Sequence, residues 1–264
     1  MIVRSAPQPI PQAQPGGTLR LLSLNIQFGL HSSRYLHYVT QAWRHLLPSR
    51  GTREKLDGIA ALAAGYDVVA LQEADAGSLR SARLNQVAHL AERAGFPYWH
   101  AGVTRDLRPF AQHCLGCLSR WPLHNVKYHA LPGWLPGRGA LEVEIRPPGC
   151  ETLRLIIAHL ALGRRVRTRQ LNFLATLIKD RTDTIVIGDL NCDTGELSAH
   201  AGVRAAGLSA AHSQHTFPSW NPSRALDHIL VTPTVDVIEA TVLDERLSDH
   251  LPVATEIRLR LETA

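Results

Sequence analysis

The sequence predicts an α/β (α+β) domain in which stacked β-sheets are covered by helices. Three observations carry this expectation. Apolar strands alternate with amphipathic helices over the first third of the chain. Strands broken by Pro and Gly turns crowd the middle, and the mixture returns in the last third. With 264 residues, 45% hydrophobic and 19% charged, the chain suits one large core better than two small ones.

The elements follow in order. Residues 1–17, rich in Pro and Gln and ending in Gly16 and Gly17, read as a flexible leader, and residues 18–264 as a single domain. "TLRLLSLNI" is a strand with Leu19, Leu21, Ser23 and Asn25 on one face and Leu22, Leu24 and Ile26 on the other. "RYLHYVTQAWRHLL" carries apolar residues at Tyr35, Leu36, Val39, Ala42, Trp43, Leu46 and Leu47, a helical period that Pro48 stops. A second helix is expected over 53–64, closed by Gly65, and a third over 78–94, closed by Gly95, with the strand "YDVVALQEAD" between them. "HCLGCLSRWPL", "HNVKYHALPG" and "GRGALEVEIRPPG" are strands, as is "LRLIIAHL". "RTRQLNFLATLIKD" is a helix, "TIVIGDL" a strand, and 196–206 a short helix. "RALDHILVT", "DVIEATVL" and "PVATEIRLRL" finish the chain as strands.

A formal charge of +5 and a pI near 9.3 favour anionic partners: nucleic acid, phosphorylated small molecules or an anionic membrane surface. No run of 18 apolar residues and no apolar leader segment occurs, so neither a transmembrane helix nor a signal peptide is expected. Cys114 and Cys117 have a C-x-x-C spacing, but no second pair completes a zinc site, and residues three apart on a strand face opposite ways. All four cysteines therefore read as reduced thiols, which leans toward a cytoplasmic location.

Chemistry-bearing residues gather where apolar strands end. Asn25 follows "LLSL", Glu73 follows "VVALQ", His159 follows "LRLIIA", Asp189 and Asn191 flank the end of "IVIGDL", and Asp249 and His250 stand in "LSDHLPV". Asp227 sits in "RALDHILV". A carboxylate taken out of water needs a partner, and a hard divalent cation with oxygen ligands is a good one. The set is dominated by oxygen rather than thiolate or imidazole, which disfavours zinc. Gly188 before Asp189 lets backbone approach closely, and unbroken strand alternation would put Asp189 and Asn191 on one side.

"LNIQFG", "VVALQEAD", "GCLSRWPL", "AHL", "GDLNCD", "ALDHIL" and "SDHLPV" stand in the order and spacing of the endonuclease/exonuclease/phosphatase superfamily, which the chain resembles from about Thr18 to Leu261. The resemblance implies a four-layer DNase I-like sandwich of two mixed β-sheets flanked by helices. It also implies a phosphoric ester hydrolase that uses Mg²⁺ or Mn²⁺. It makes Glu73 the main metal ligand, with Asp249 and Asn25 on the metal side. Asp189 would manage the attacking water, Asn191 the water or phosphate, and His250 the phosphate, with Asp227 orienting the His250 ring. His159 would contact the phosphate. Two departures matter: Gln27 stands where abasic-site nucleases carry an acid, and "AHL" where they carry a tyrosine. The resemblance is thus closer to the phospholipase- and phosphodiesterase-like bacterial branch than to abasic-site endonucleases.

Candidate substrate contacts are Arg164 and Arg165 at the start of a helix, and Trp220 and Arg224 in the loop leading to Asp227. Positive charge at a helix start opposes the dipole and asks for an anion; the alternative is a solvated turn, with Arg169 and Gln170 pinning the helix to the site loops. The segment 31–55, with five Arg/Lys, one acid, three His and Trp43, is either a basic lip for nucleic acid or a lipid surface, or a helix covering a sheet edge. The expected function is hydrolysis of a phosphodiester, in nucleic acid or a phospholipid headgroup. A phosphomonoesterase acting on an inositol phosphate or other metabolite, and a non-catalytic phosphate-binding module, are the alternatives.

Overall fold

The computed structural model describes residues 17–27, 50–134, 137–178 and 183–262. Both the expected leader, but for Gly17, and the expected helix over 34–47 lie outside the described residues, as does most of the basic 31–55 segment. The elements are β1 (Thr18–Asn25), α1 (Arg50–Ala63), β2 (Val68–Asp75), α2 (Gln86–Ala94), β3 (Tyr98–Leu107), β4 (Ala111–Ser119), β5 (Leu123–Ala130), β6 (Gly139–Ile145), β7 (Leu153–His159), α3 (Arg164–Leu177), β8 (Thr184–Asp189), α4 (Thr194–Ala199), α5 (Ala201–Ala205), β9 (Ser209–Ala210), β10 (Asp227–Val231), β11 (Asp236–Val242) and β12 (Val253–Arg258).

They form two six-stranded sheets, in the orders β11-β12-β1-β2-β4-β3 and β5-β6-β7-β8-β10-β9. Each has one parallel pair near its centre, β1 with β2 and β7 with β8, and antiparallel neighbours elsewhere. Three apolar clusters fix the layers. Leu19, Leu21, Val68 and Ala70 of the first sheet pack against Leu155, Ile157, Ile185 and Ile187 of the second. Leu22, Leu24, Val69 and Leu71 on the outer face of the first sheet meet Leu56 and Ile59 of α1 and Val87 and Leu90 of α2. Ile156, Val186 and Leu230 on the outer face of the second meet Leu171 and Leu174 of α3 with Leu197 and Val203 of α4 and α5. The result is the expected four-layer sandwich. Cys114 belongs to the α-covered core and Cys117 to the inter-sheet core, as their strand spacing requires. All four thiols are free and buried, and burial raises each of them.

The structure departs from the sequence expectation at several elements. The helix expected over 78–94 is a 3₁₀ turn at Leu79–Ser81 followed by α2. Asp75 at the end of β2 causes the break. Its carboxylate accepts from the Gly77 and Ser78 amides and from the Ser78 and Ser81 hydroxyls, and it pairs with Arg80 at 3.1 Å. Asn85 then restarts the helix by capping the Ala88 amide. The strand β3 is not signalled by the sequence, because its exposed, charged stretch lacks alternation. The short helix over 196–206 is two, α4 and α5, divided at His200.

Burial pushes the Asp75 carboxyl upward, but the Ser78 and Gly77 amides and the serine hydroxyls outweigh it and hold it below its ordinary value. A lowered folded value contributes stability that is present above the unfolded carboxylate value, about 3.9, and lost as pH falls through the folded one. Asp75→Ala strands several buried donors and an arginine, so it is expected to cost about 3–5 kcal/mol in urea unfolding at pH 7. The gap between variant and parent should narrow below about pH 4; a gap independent of pH would contradict the network.

Candidate active site

The inter-sheet core does not end at random. Along each central strand the inward-facing positions run apolar and then turn polar at one end of the sandwich. In β1 the inward series is Leu19, Leu21, Ser23, Asn25, as the sequence predicts; in β7 it is Leu153, Leu155, Ile157, His159; in β8 it is Ile185, Ile187, Asp189. β10 runs the other way, so Asp227 opens it directly opposite Asp189, with Ile229 and Val231 behind. Parallel pairing sets His159 beside Asp189. β12 is antiparallel to β1, which brings Asp249 and His250, just before β12, to the same end.

Glu73 reaches this end by a different device. Alternation from Val68 and Ala70 turns Gln72 inward, and Glu73 would face out. The pairing of β2 with β4 shifts register between Leu71 and Ala74, and Glu73 adopts φ +56°. This bulge re-aims its carboxylate into the cluster. A left-handed φ at a non-glycine residue costs about 1 kcal/mol or more and is held by its surroundings.

Apart from the half-buried Glu73 the cluster is buried, and it is closely connected. Asn25 Nδ2 donates to Asp189 Oδ2 at 3.1 Å, and the Asn191 amide donates to Asp189 Oδ1 at 3.0 Å. His159 Nε2 lies 3.3 Å from Asp189 Oδ2 and 3.8 Å from Glu73 Oε1. His250 Nδ1 pairs with Asp227 Oδ2 at 2.7 Å, while its Nε2 stands 4.0 Å from Asp189 Oδ2. Phe217 packs on the His250 ring with centroids 4.8 Å apart. Asp189 and Asn191 are not placed by continued strand alternation, because β8 ends at Asp189 and Asn191 has φ +54°. A turn closed by the Asp189 side chain holds them, and Asn191 Nδ2 is tied to the Leu160 carbonyl at 3.0 Å. β1 ends the same way, with the Gln27 amide on Asn25 Oδ1 at 3.0 Å and Gln27 at φ +45°.

The electrostatics divide the acids and bases. Burial lowers His250, but the carboxylates of Asp227, Asp189 and Asp249 more than reverse this and hold it up to about 10, as an imidazolium. Asp227 is driven upward by burial yet held below its ordinary value by that imidazolium and its hydrogen bonds. Asp189 is pushed up to about 7 by burial and by Asp227 and Glu73, against the pull of His250 and Asn25. Burial raises Glu73 too, and the facing charge of Asp249 adds to it. His159 is pushed well below its ordinary value by burial, then by Arg138, His250 and His113, so it is neutral.

A metal can be weighed against these facts. Asp189, Asp227 and His250 have ligand atoms within 4.8 Å of one another, but an imidazolium committed to a carboxylate has no lone pair to give. Glu73 and Asp249 are a better fit to a hard cation. Both are oxygen donors, both are only half-buried, and the repulsion that raises Glu73 is what a divalent cation between them would cancel.

Two residues that sequence reasoning did not assign to the site belong to it. Arg138 donates to Nε2 of His159; the signal is the register of β6 on β7, which sets Gly139 opposite His159. Lys55 of α1 donates to the Ile26 carbonyl at 3.2 Å and feels the charges of Asp249 and Glu73, though burial dominates and lowers it to about 8. Trp220 and Arg224 stand at the rim: Trp220 packs on Phe217 at 6.5 Å, and Arg224 lies 3.8 Å from Asp193. Arg164 and Arg165 are exposed at the start of α3 and make no ion pair with the cluster among the described residues. Arg167 and Gln170, rather than Arg169, tie α3 to the site loop: Arg167 to the Ala161 and Leu162 carbonyls and Glu196, Gln170 to the Ala161 amide and Pro132 carbonyl.

The His250–Asp227 pair yields a direct check. In metal-free protein the His250 ring should remain protonated through pH 9, because its folded value lies near 10. A folded value above the unfolded one, about 6.5, contributes stability below that pH and loses it as pH rises through about 10. Asp227→Asn removes the main partner and leaves burial opposed by Asp189 and Asp249 alone, so the ring is expected to titrate well below the parent's value in an imidazole ¹⁵N–¹H spectrum. An unchanged titration would refute the pairing.

The pattern of the Endonuclease/Exonuclease/phosphatase family matches residues 22–250. Among curated proteins none matches the chain by sequence. Solved structures do. An endonuclease/exonuclease/phosphatase from Beutenbergia cavernae DSM 12333 superposes with TM-score 0.73 and 22% identity over 92% of this chain and 72% of its own. D. rerio TDP2, solved with a single-strand DNA product, gives 0.68 and 19% over 92% and 99%. The mannosyl-6-phosphatase Bt3783 of Bacteroides thetaiotaomicron VPI-5482 gives 0.70 and 17% over 90% and 99%. At these identities the likeness is one of fold. No helix among the described residues is long and apolar enough to cross a membrane.

Proposed function

The chain belongs to the endonuclease/exonuclease/phosphatase family, and from that premise we propose that it hydrolyses a phosphodiester with a divalent cation of the Mg²⁺ or Mn²⁺ type. The observation that carries this reading is the convergence of Asn25, Glu73, His159, Asp189, Asp227 and His250 from five strands and one loop onto one end of the sandwich.

Glu73 and Asp249 would hold the cation, with Asn25 beside it. When bound, it supplies neutralisation of charge on the phosphate and the departing oxygen. The remaining steps fall to side chains. Asp189, raised to about 7, takes the proton from an attacking water, and its position is fixed by Asn25 and the Asn191 amide. Asn191, with Nδ2 committed to Leu160, has its Oδ1 to accept from that water. His250, charged through Asp227, donates from Nε2 to a phosphoryl oxygen as negative charge builds there. His159 and Arg138 contact the same phosphate from the β7 side. Residues 18–264 act as one catalytic domain in this reading.

A nuclease and a lipid-headgroup hydrolase share this chemistry. Plasmid DNA, sphingomyelin, phosphatidylinositol phosphates and bis(p-nitrophenyl) phosphate, each with Mg²⁺ and with Mn²⁺, test it together. Turnover of the aryl diester and at least one natural diester is expected. Release of inorganic phosphate from monoesters alone, with no diester cleaved, would move the assignment to a phosphomonoesterase.

A further inference from the structure

A cleft of about 460 Å³ opens off the proposed reaction centre on the β4–β7 side, with Glu73 and His159 at its inner end. Its character differs from that of the centre. Arg105 and Arg138 line it, and neither forms a salt bridge among the described residues. Glu73 is the single acid among its described lining residues. His113 also lines it and is held down to about 4, by burial first and then by Arg80, Arg105 and Arg138 against the pull of Asp75, so it adds a neutral ring. Arg105 is placed by backbone: its side-chain stem runs across Gly137, where an added Cβ would come within 3.0 Å of Cδ, and Gly137 has φ +108°. Gly163 and Val166 at the start of α3 also line it, and α3 is a helix of 14 residues whose N-cap offers no side-chain oxygen and whose first turn holds no acid. Trp134, 87% exposed, and Leu162 supply an apolar rim.

We propose that this cleft is a specificity subsite that takes a second anionic group of the substrate, a phosphate or phosphonate joined by a short arm to the phosphoester being cleaved. Arg105, Arg138 and an uncapped helix start line a space already large enough for such a group, and the one acid among the described lining residues, Glu73, lies at the reaction centre itself. The arm crosses the apolar rim, and Arg105 takes the anion. The inference rests on the phosphoesterase reading and narrows its substrate to one with two anionic groups.

Matched p-nitrophenyl alkyl phosphates test it, with arms of two to six carbons ending either in a phosphonate or in a methyl group. For at least one arm length the phosphonate compound should show a kcat/KM at least about tenfold above its methyl partner. Arg105→Ala should bring that ratio near unity without changing turnover of the methyl compounds, and Arg105→Lys should restore part of it. A ratio at or below one at every length, or one that survives Arg105→Ala, overturns the subsite. If no compound is turned over, the phosphoesterase reading fails. Calorimetry with the same pairs then still reads the subsite: tighter binding of a phosphonate compound that depends on Arg105 supports it, and equal binding overturns it. A dithymidylate with and without a terminal phosphate, and phosphatidylinositol with and without a ring phosphate, identify which source of second anion the Arg105-dependent preference selects.

Discussion

Asp189→Asn is expected to lower kcat by about 10³- to 10⁴-fold, the scale on which a positioned general base contributes. The substitution keeps size and shape. Both Asp189 oxygens now accept, one from Asn25 Nδ2 and the other from the Asn191 amide. An amide supplies a single acceptor, so one donor loses its partner, at a cost of about 1–3 kcal/mol. The variant should therefore fold and bind phosphoesters while turning over almost none. Kinetics on an aryl diester beside a urea melt separates the two effects. Turnover within a few-fold of the parent would remove Asp189 from the chemistry.

The largest effect on stability is expected at the preceding residue. Gly188 has φ +137°, and a Cβ built there would lie 2.2 Å from the Ala158 carbonyl oxygen of the adjacent strand. Gln72 Nε2, 3.2 Å away, closes the other side. Neither neighbour can yield cheaply, because Ala158 is paired backbone and Gln72 is fully buried between the sheets. Gly188→Ala is expected to cost at least about 4 kcal/mol, or to prevent folding. In a chain of this size that corresponds to a melting temperature lower by roughly 10 °C. Gly95→Ala is the control: it also has positive φ, but an added Cβ meets nothing within 4 Å, so about 1 kcal/mol is expected. Equal melting temperatures for the two variants would contradict the close approach.

Much of this arrangement is legible in the chain, and the reason is periodicity. The alternation in "TLRLLSLNI" already separates Asn25 from Leu24, and the same period in "LRLIIAH" and "TIVIGD" assigns His159 and Asp189 to the buried inner series. What stays hidden is local departure from the period. Glu73 faces the cluster through a bulge, and Asn191 is held by a side-chain turn after the strand has ended. Arg138 and Lys55 stay hidden for another reason. Each joins through tertiary register, Arg138 through β6 on β7 and Lys55 through the seating of α1, and neither stands in a motif that its neighbours reveal. The 3₁₀ break before α2 was equally invisible, because an acid with serines three and six residues on reads as ordinary helix surface until the carboxylate is seen to gather their donors.

The dependence of phosphoester cleavage on a hard cation held by Glu73 is the core of the proposed mechanism. It is tested most directly by titrating Mg²⁺ into metal-stripped protein while following an aryl phosphodiester, for the parent chain and for Glu73→Gln. The account predicts saturable activation of the parent. For the variant it predicts a midpoint at least about tenfold higher and a lower plateau, in a protein whose fold is unchanged. Superimposable titration curves, or full activity of the parent in excess chelator, would contradict it.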